Sequence, residues 1–485
     1  MNFSEFESKA GKYNVIPLTR TLPADTLTPV GLYLAGRDGY RDSFLFESVE
    51  GEFRVARYSI LGFGSSERLI SKGPETVLVR EGKCTSAGPS IADALKDRLR
   101  GFHPAFFEER PPFAGGYVGY LGYGCAARAN GVSFRAEQDG FPDAELGRFD
   151  DLLVYDHARS RLLLVANALL EEGTDLEKAY RSTLSRLDAL EALAGRAVPS
   201  QVGRCLSSRE AGNDPGGDSF EAGVKAAKAH IREGDIYQVV LSVRQDFRFK
   251  GDPFDVYRRL RMDNPSPYHF FVQQQDSAIL GASPEMLVRV TGRRVEVRPI
   301  AGTRPRGRDV EEDGDLRLEL LEDQKENAEH TMLVDLGRND VGRVSEYGSV
   351  KVTSFKEIEN YSHVMHMVSS VEGRLREGLH PVDAFFAGFP AGTVSGAPKI
   401  RAMQLIADLE YRPRGVYSGA IGYFDYAGNL DTCIAIRAAF VRGGMIQVQA
   451  GAGIVADSEP DREYAECLHK MAAVRAAVDG TGGWQ

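Results

Sequence analysis

The 485-residue sequence holds a single tryptophan and five cysteines, and it has no basic excess. Each shortage excludes something. Lys and Arg number 59 against 69 Asp and Glu, a formal charge of −10. Non-specific nucleic-acid binding rests on cations neutralising phosphates, so nucleic acid is not the expected partner. Cys84, Cys125, Cys205, Cys433 and Cys467 are odd in number and form no Cys-x-x-Cys pair. That excludes a disulfide framework and a thiolate zinc site, and it fits reduced thiols in the cytoplasm. No apolar run approaches the roughly 18 residues that cross a bilayer, so no membrane span is expected. The opening MNFSEFESK carries Glu5 and Glu7 and lacks a basic-then-apolar signal region. What is present suits a folded protein: 42% hydrophobic and 26% charged residues, with 52 glycines. At roughly 100–200 residues per domain, the length predicts two to four structural units.

The first 194 residues read largely as short strands punctuated by glycine, among them ETVLVRE (75–81) and DDLLVYDHARSRLLLVANAL (150–169). A helix follows, with Leu184, Leu187, Leu190 and Leu193 at helical spacing and Gly195 placed to cap it. Residues 195–219 are rich in Gly, Ser and Pro and lack periodicity. They are expected to link region 1–194 to region 220–485. A new helix is predicted from Phe220, with Asp218 or Ser219 as N-cap. Further helices are expected at 254–262, 315–336, 382–388, 398–408 and 461–478. Strands are expected at 268–274, 278–281, 286–290, 349–353, 419–424, 433–441 and 445–449. TGRR (291–294) and VRGG (441–444) look like hairpin turns between neighbouring strands. Such pairing favours an antiparallel α+β architecture over a doubly wound parallel sheet.

Two predicted helices carry the same acidic device. Glu326 and Glu329 lie three apart, as do Glu463 and Glu466, with Lys470 four further on. Each pair shares a helix face. Alone, either pair reads as a solvated surface; facing each other, they suit a hard divalent cation such as Mg²⁺. Two glycine-rich segments add to this. FPAGTVSGAPKIRAM (389–403) runs from a small-residue loop into a helix, with Pro398 in its first turn. VQAGAGIVADSEP (448–460) permits close backbone approach to a ligand. Arg304, Arg306 and Arg308 read as a solvated face or an anion-binding loop.

In order, GDIYQVVLS (234–242), GASPEML (281–287), RPIAGTRPRG (298–307), KENAEHTMLVDLGRND (325–340), YSHVMHMVS (361–369), FPAGTVSGAPK (389–399), GVYSGAIGYFD (415–425) and DTCIAIRAA (431–439) form a specific set. Together with TPVGLY (28–33), FLFESVEG (44–51), RYSILGF (57–63) and GGYVGYLGYG (115–124), the chain resembles the chorismate-utilising enzymes over nearly its whole length, most closely their anthranilate synthase component I branch. The resemblance implies an antiparallel β-sandwich core surrounded by helices. It implies amination of chorismate by ammonia to give anthranilate and pyruvate. By the same resemblance Glu329 and Glu466 ligate Mg²⁺, which meets the substrate's ring carboxylate, with Glu326 and Glu463 behind them. Tyr417, Arg437 and the backbone of Gly451, Ala452 and Gly453 would meet the second carboxylate, with Lys470 nearby. Glu285 is the implied general acid for the leaving hydroxyl, which requires a raised pKa. His366 is implied in pyruvate elimination, His363 being the less favoured of the two. Gln238 and Thr393 complete the implied catalytic set, and Ala301, Gly302 and Thr303 the substrate-binding set.

Two positions discriminate within the family. Members that add water carry a Lys where this chain has Gln238, and a Lys can deprotonate water while ammonia needs no such base. Aminodeoxychorismate synthases commonly have PIKGT, whose Lys attacks the ring; here Ala301 cannot. No cysteine sits in a glutaminase context: Cys125, in GYGCAAR, comes nearest and lacks the residues that should follow. A separate glutamine amidotransferase subunit is therefore expected to supply ammonia, making a hetero-oligomer. Glu47, Ser48, Pro267, Tyr268, His269 and Phe270 resemble the tryptophan feedback pocket of inhibited members. His269 stands where many carry Met. The competing readings are an aminodeoxychorismate synthase component and a non-catalytic paralogue.

Overall fold

The computed structural model describes residues 1–48, 57–132, 140–197, 200–203, 206–214, 216–361 and 364–480. Cys205 and His363 lie outside them. Two antiparallel twelve-stranded sheets form the core. One runs, edge to edge, through strands at 15–23, 161–169, 151–156, 58–63, 42–47, 268–274, 277–283, 438–442, 445–454, 238–250 and 206–214. The other runs through 300–305, 364–374, 294–297, 286–291, 430–434, 420–425, 116–121, 144–149, 67–72, 75–80 and 83–86. A two-residue strand at 396–397 and a ten-residue strand at 351–360 pair onto these sheets. Between the sheets lie Phe44, Val118, Phe149, Phe270, Val272, Tyr417, Ile421 and Phe440, all buried. Helices cover the outer faces, giving the α+β architecture that the hairpins favoured. No helix among the described residues is long and apolar enough to cross a membrane.

The two sequence regions share both sheets. Strand Asp42–Glu47 pairs with Tyr268–Gln274, and Gly116–Leu121 pairs with Ala420–Asp425. The expected linker 195–219 itself contains a strand, Leu206–Asp214, on the edge beside Gln238–Lys250. Its Gly, Ser and Pro content and lack of period-two apolar alternation left no strand signal to read.

Most helices fall where periodicity placed them: Leu176–Ala194, Pro253–Asp263, Pro381–Gly388, Lys399–Leu409 and Pro460–Asp479. The departures have local causes. The helix at 217–232 is capped by Gly216, not by Asp218 or Ser219, which fall inside its first turn. Pro398 is the N-cap of its helix and not a first-turn residue. The single helix expected over 315–336 is two, Val310–Glu322 and Gln324–Gly342. Asp323 breaks it: its Oδ1 accepts from the backbone N–H groups of Lys325 and Glu326, each at 3.0 Å. That is an N-cap inserted mid-run. The strand expected over 433–441 is also two, ending at Ile434 and restarting at Ala438. Arg437 lies between them with φ +51°, a left-handed turn that no apolar pattern announces. Arg306 and Arg308 face Asp313 and Glu312 and brace the start of helix Val310–Glu322, while Arg304 reaches Glu319 and Asp323 at its end.

One buried guanidinium ties the parts together. The Arg414 side chain is fully buried. It donates to Glu410 at 2.7 and 2.8 Å, to the Val394 carbonyl at 2.6 Å and to the Val240 carbonyl at 2.6 Å. Tyr123 and Tyr417 lie over its cation at 4.8 and 5.7 Å. Arg414→Met should therefore leave the Glu410 charge without its cation, with only Ser242 still donating to it, and destabilise the protein by about 3–5 kcal/mol. Urea unfolding at neutral pH measures this; a loss below about 1 kcal/mol would show that the network is not structural.

Candidate active site

Asp323 does more than end a helix. By restarting the chain there, it places Glu326 and Glu329 in the first turns of helix Gln324–Gly342, where backbone N–H groups favour negative charge. Glu463 occupies the same position in helix Pro460–Asp479. The two helix starts approach each other, for Glu463 feels the ammonium of Lys325. Burial, then the neighbouring Glu329, raises the Glu326 carboxyl above its ordinary range. Burial likewise raises Glu463, and Glu466 adds to it. Few cations offset this crowding. Lys470 Nζ lies 2.5 Å from Glu466, and Arg304 Nη1 lies 3.8 Å from Glu326. Gln238 Nε2 donates to Glu329 at 3.2 Å, while its own carbonyl oxygen is buried without a partner. An excess of carboxylates, two of them charged at a cost, fits a hard divalent cation.

Gln238 opens strand Gln238–Lys250, which pairs with Met445–Ile454 so that Val240, Leu241 and Ser242 lie opposite Gly453, Ala452 and Gly451. Both glycines allow close approach here. A Cβ at 453 would meet Gln238 Nε2 at 2.4 Å, and one at 451 would meet the Tyr417 hydroxyl at 2.9 Å. Lys470 Nζ donates to the Gly451 carbonyl at 3.1 Å, and Arg437 Nη1 donates to the Lys470 carbonyl at 2.9 Å. The Arg437 guanidinium is held down by burial and feels both Tyr417 and Glu466. Tyr417, Arg437, Gly451, Lys470 and the acidic pair thus share one neighbourhood. The bend at Arg437, not the continuous strand expected, turns this side chain toward the helix.

The second wall comes from the other sheet. Thr303 sits opposite His366 in the register, with a bulge at Gly302 between Ala301 and Thr303. Gly302 has φ +75° and backs onto Glu326, whose Oε2 would stand 3.2 Å from an added Cβ. His366 Nδ1 lies 3.2 Å from the Gly302 carbonyl and 3.0 Å from Thr303 Oγ1. A carbonyl only accepts, so Nδ1 carries the proton and Nε2 is the basic nitrogen. Burial lowers the His366 pKa, keeping the ring neutral at neutral pH.

Glu285 is the most perturbed acid of the set. It is buried, and that burial pushes its carboxyl up to about 8. Its partner is Thr393, whose hydroxyl donates to Oε1 at 2.8 Å. Thr393 belongs to the short 3₁₀ turn Gly392–Val394, which Arg414 holds through the Val394 carbonyl.

A larger cavity, of about 400 Å³, lies elsewhere between the sheets and is lined by all six residues of the expected feedback pocket. Tyr268 bridges the sheets there, donating to Asp431 at 3.0 Å and accepting from Arg289 at 2.9 Å. Glu47 and His269 turn their side chains to helix Pro253–Asp263. Glu47 accepts from the Tyr257 hydroxyl at 2.6 Å and from Arg261 at 2.7 and 3.0 Å. The His269 ring lies 6.4 Å from that of Tyr257; burial pushes its pKa down to about 4, and neither nitrogen has a partner. Arg289, Tyr423 and Asp431 also line this cavity and were missed from sequence. An arginine within the apolar strand Met286–Thr291 was the available signal. Among the described residues Cys84, Cys125, Cys433 and Cys467 are free thiols. Burial holds the Cys125 thiol far above its ordinary value, unlike a nucleophile.

An antiparallel two-sheet sandwich with carboxylates gathered at two helix starts, and Lys470 and Arg437 beside them, has the donor set with which an enzyme could hold a cation. Residues 41–476 match the family described as chorismate binding enzyme, and the chain belongs to that family. It is 43% identical over 488 residues to anthranilate synthase component 1 of Acetivibrio thermocellus, covering 99% of this chain and 98% of that one. It is 41% identical to the protein of the same name from Aquifex aeolicus, with the same coverage. The structure resembles that of anthranilate synthase component I from Streptococcus pneumoniae, with TM-score 0.76 and 36% identity over 93% of this chain and 98% of the other. It shares its fold with the menaquinone-specific isochorismate synthase of Escherichia coli, at TM-score 0.73 and 19% identity over 98% of each chain.

The pKa of Glu285 makes a pH prediction. A group that must donate a proton is active below its pKa, so kcat/KM should fall as pH rises through about 8. Glu285→Gln should lower turnover by about 10²–10⁴-fold and remove that alkaline limb from the residual activity. A pH–rate profile checks both; an unchanged limb would assign it to another group.

Proposed function

We propose that this chain is the ammonia-using subunit of an anthranilate synthase, acting in the cytoplasm at the first committed step of tryptophan biosynthesis. It converts chorismate and ammonia to anthranilate, pyruvate and water. The observation that carries the reading is Glu285: a buried carboxyl, protonated near neutral pH and aligned by Thr393, in a chain whose Gln238 and Ala301 offer no competing nucleophile.

Glu329 and Glu466, with Glu326 and Glu463 behind them, would hold Mg²⁺, which would supply the positive charge that offsets these carboxylates toward a substrate carboxylate. Arg437 presents guanidinium N–H groups to the second carboxylate, a pairing two hydrogen bonds can orient. Ammonia adds at ring carbon 2 and the hydroxyl on carbon 4 departs as water, taking the Glu285 proton. The ammonium formed at carbon 2 returns a proton to Glu285. His366, neutral and with Nε2 available, serves the elimination half-reaction: Nε2 takes the proton from carbon 2, the enol ether C–O bond to the ring breaks as the ring becomes aromatic, and the departing enolpyruvate gains that proton on its methylene carbon to leave as pyruvate. Ammonia comes from a glutamine amidotransferase subunit, since among the described residues no thiol combines exposure with the sequence context of a glutaminase nucleophile. Tryptophan binds the 400 Å³ cavity and inhibits; the six expected residues gathered there support that reading.

Purified protein incubated with chorismate, Mg²⁺ and ammonium should release fluorescent anthranilate and an equal amount of pyruvate. Accumulation of 4-amino-4-deoxychorismate would refute the assignment. Glu329→Gln should abolish Mg²⁺-dependent turnover and weaken Mg²⁺ binding in calorimetry, with an unchanged circular dichroism spectrum. Tryptophan should inhibit the wild-type protein below millimolar concentration, and Ser48→Phe, by filling the cavity wall, should raise the concentration needed at least about tenfold. Wild-type activity insensitive to millimolar tryptophan would remove the feedback reading.

A further inference from the structure

A second cavity, of about 230 Å³, adjoins the large one, and Tyr58 and Arg110 line both. Its floor is a row fixed by strand register: Arg161 stands opposite Asp156, and Asp156 opposite Tyr58. Its walls carry four arginines, Arg57, Arg110, Arg159 and Arg161, against two carboxylates, Glu109 and Asp156. In a chain with net charge −10, this is a local reversal of sign. The carboxylates are already committed. Asp156 spends both oxygens on Arg57, at 3.1 and 2.7 Å, and one of them also accepts from the Ala158 N–H. Glu109 is shared: Arg159 donates to one oxygen, and Arg161 Nη1 lies 3.6 Å from the other. Arg110 reaches away to the buried Asp425. Two guanidinium forks therefore share one carboxylate at the rim, with N–H groups to spare, Arg161 opening strand Arg161–Leu169 and Arg159 lying in the turn just before it.

We infer that this cavity is a binding site for a small multivalent oxyanion, phosphate-like or polycarboxylate, held by Arg159 and Arg161 with Arg57 behind them. The planar fork matches such oxygens bidentately, which a lysine would not. The site is separate from the carboxylate-rich cleft and does not rest on the proposed activity.

Isothermal titration calorimetry of the full chain tests it, with pyrophosphate and citrate as separate probes in metal-free buffer. Saturable binding of at least one is expected, and which one binds identifies phosphate or polycarboxylate chemistry. The double substitution Arg159→Ala with Arg161→Ala should weaken it at least about tenfold, as loss of charge-assisted hydrogen bonds requires. Glu109→Gln, which frees both forks, should tighten it, and this opposite sign separates anion binding from general disruption. Both variants should keep kcat/KM for chorismate within about twofold, since neither touches the cleft. Absence of saturable binding, binding indifferent to the double substitution, or binding lost instead in Arg437→Ala would overturn the inference.

Discussion

A guanidinium taken wholly out of water must have its donors met inside the protein, and Arg414 meets that demand with groups from four places in the chain. Glu410 holds its charge; the carbonyls of Val240 and Val394 take further N–H groups. Tyr123, from the N-terminal third, and Tyr417 stack against it. The consequence is geometric. Strand Gln238–Lys250, the turn that carries Thr393 and the segment that carries Tyr417 are fixed relative to one another by one side chain. An apolar residue of similar volume would pack there, but it would not specify the direction of two carbonyls.

The same logic governs the cleft, with the sign reversed. Carboxylates are collected at two helix starts, where backbone N–H groups lessen the cost of their charge, and Lys470, Arg304 and Arg437 surround them. Glu285 stands apart from this field. Burial outweighs the hydrogen bond from Thr393, which favours the charged form, and keeps the Glu285 proton on near neutral pH. Environment thus divides one residue type: burial raises Glu326 and Glu463 although cations and helix starts lie beside them, and it raises the more isolated Glu285 to about 8.

Neither sheet belongs to one region of the sequence. The pairing of Asp42–Glu47 with Tyr268–Gln274 and of Gly116–Leu121 with Ala420–Asp425 puts ligand-sized cavities between segments more than 200 residues apart. The Glu47–Arg261–Tyr257 cluster continues that connection from the large cavity to helix Pro253–Asp263, which packs against helix Pro460–Asp479 of the cleft. Any ligand that moves one of these strands acts on a continuous sheet.

Much of this was legible in the residues themselves. Helical spacing located Leu176–Ala194 and Pro460–Asp479, hairpin turns at 291–294 and 441–444 announced antiparallel sheets, and ordered motifs singled out Glu285, His366, Arg437 and the two acidic pairs. Those signals are local: periodicity, turn chemistry and side-chain type act over a few residues. The folded protein alone decided the rest. Asp323 splits an apparently continuous helix because its oxygen captures N–H groups that only a new helix exposes. Arg437 aims at helix Pro460–Asp479 because the strand bends through a left-handed residue. Glu285 keeps its proton, and His269 loses its own, because of atoms distant in sequence that exclude water. Desolvation and the sharing of one carboxylate by two arginines depend on how many groups surround an atom, and that number is set by packing across the whole chain.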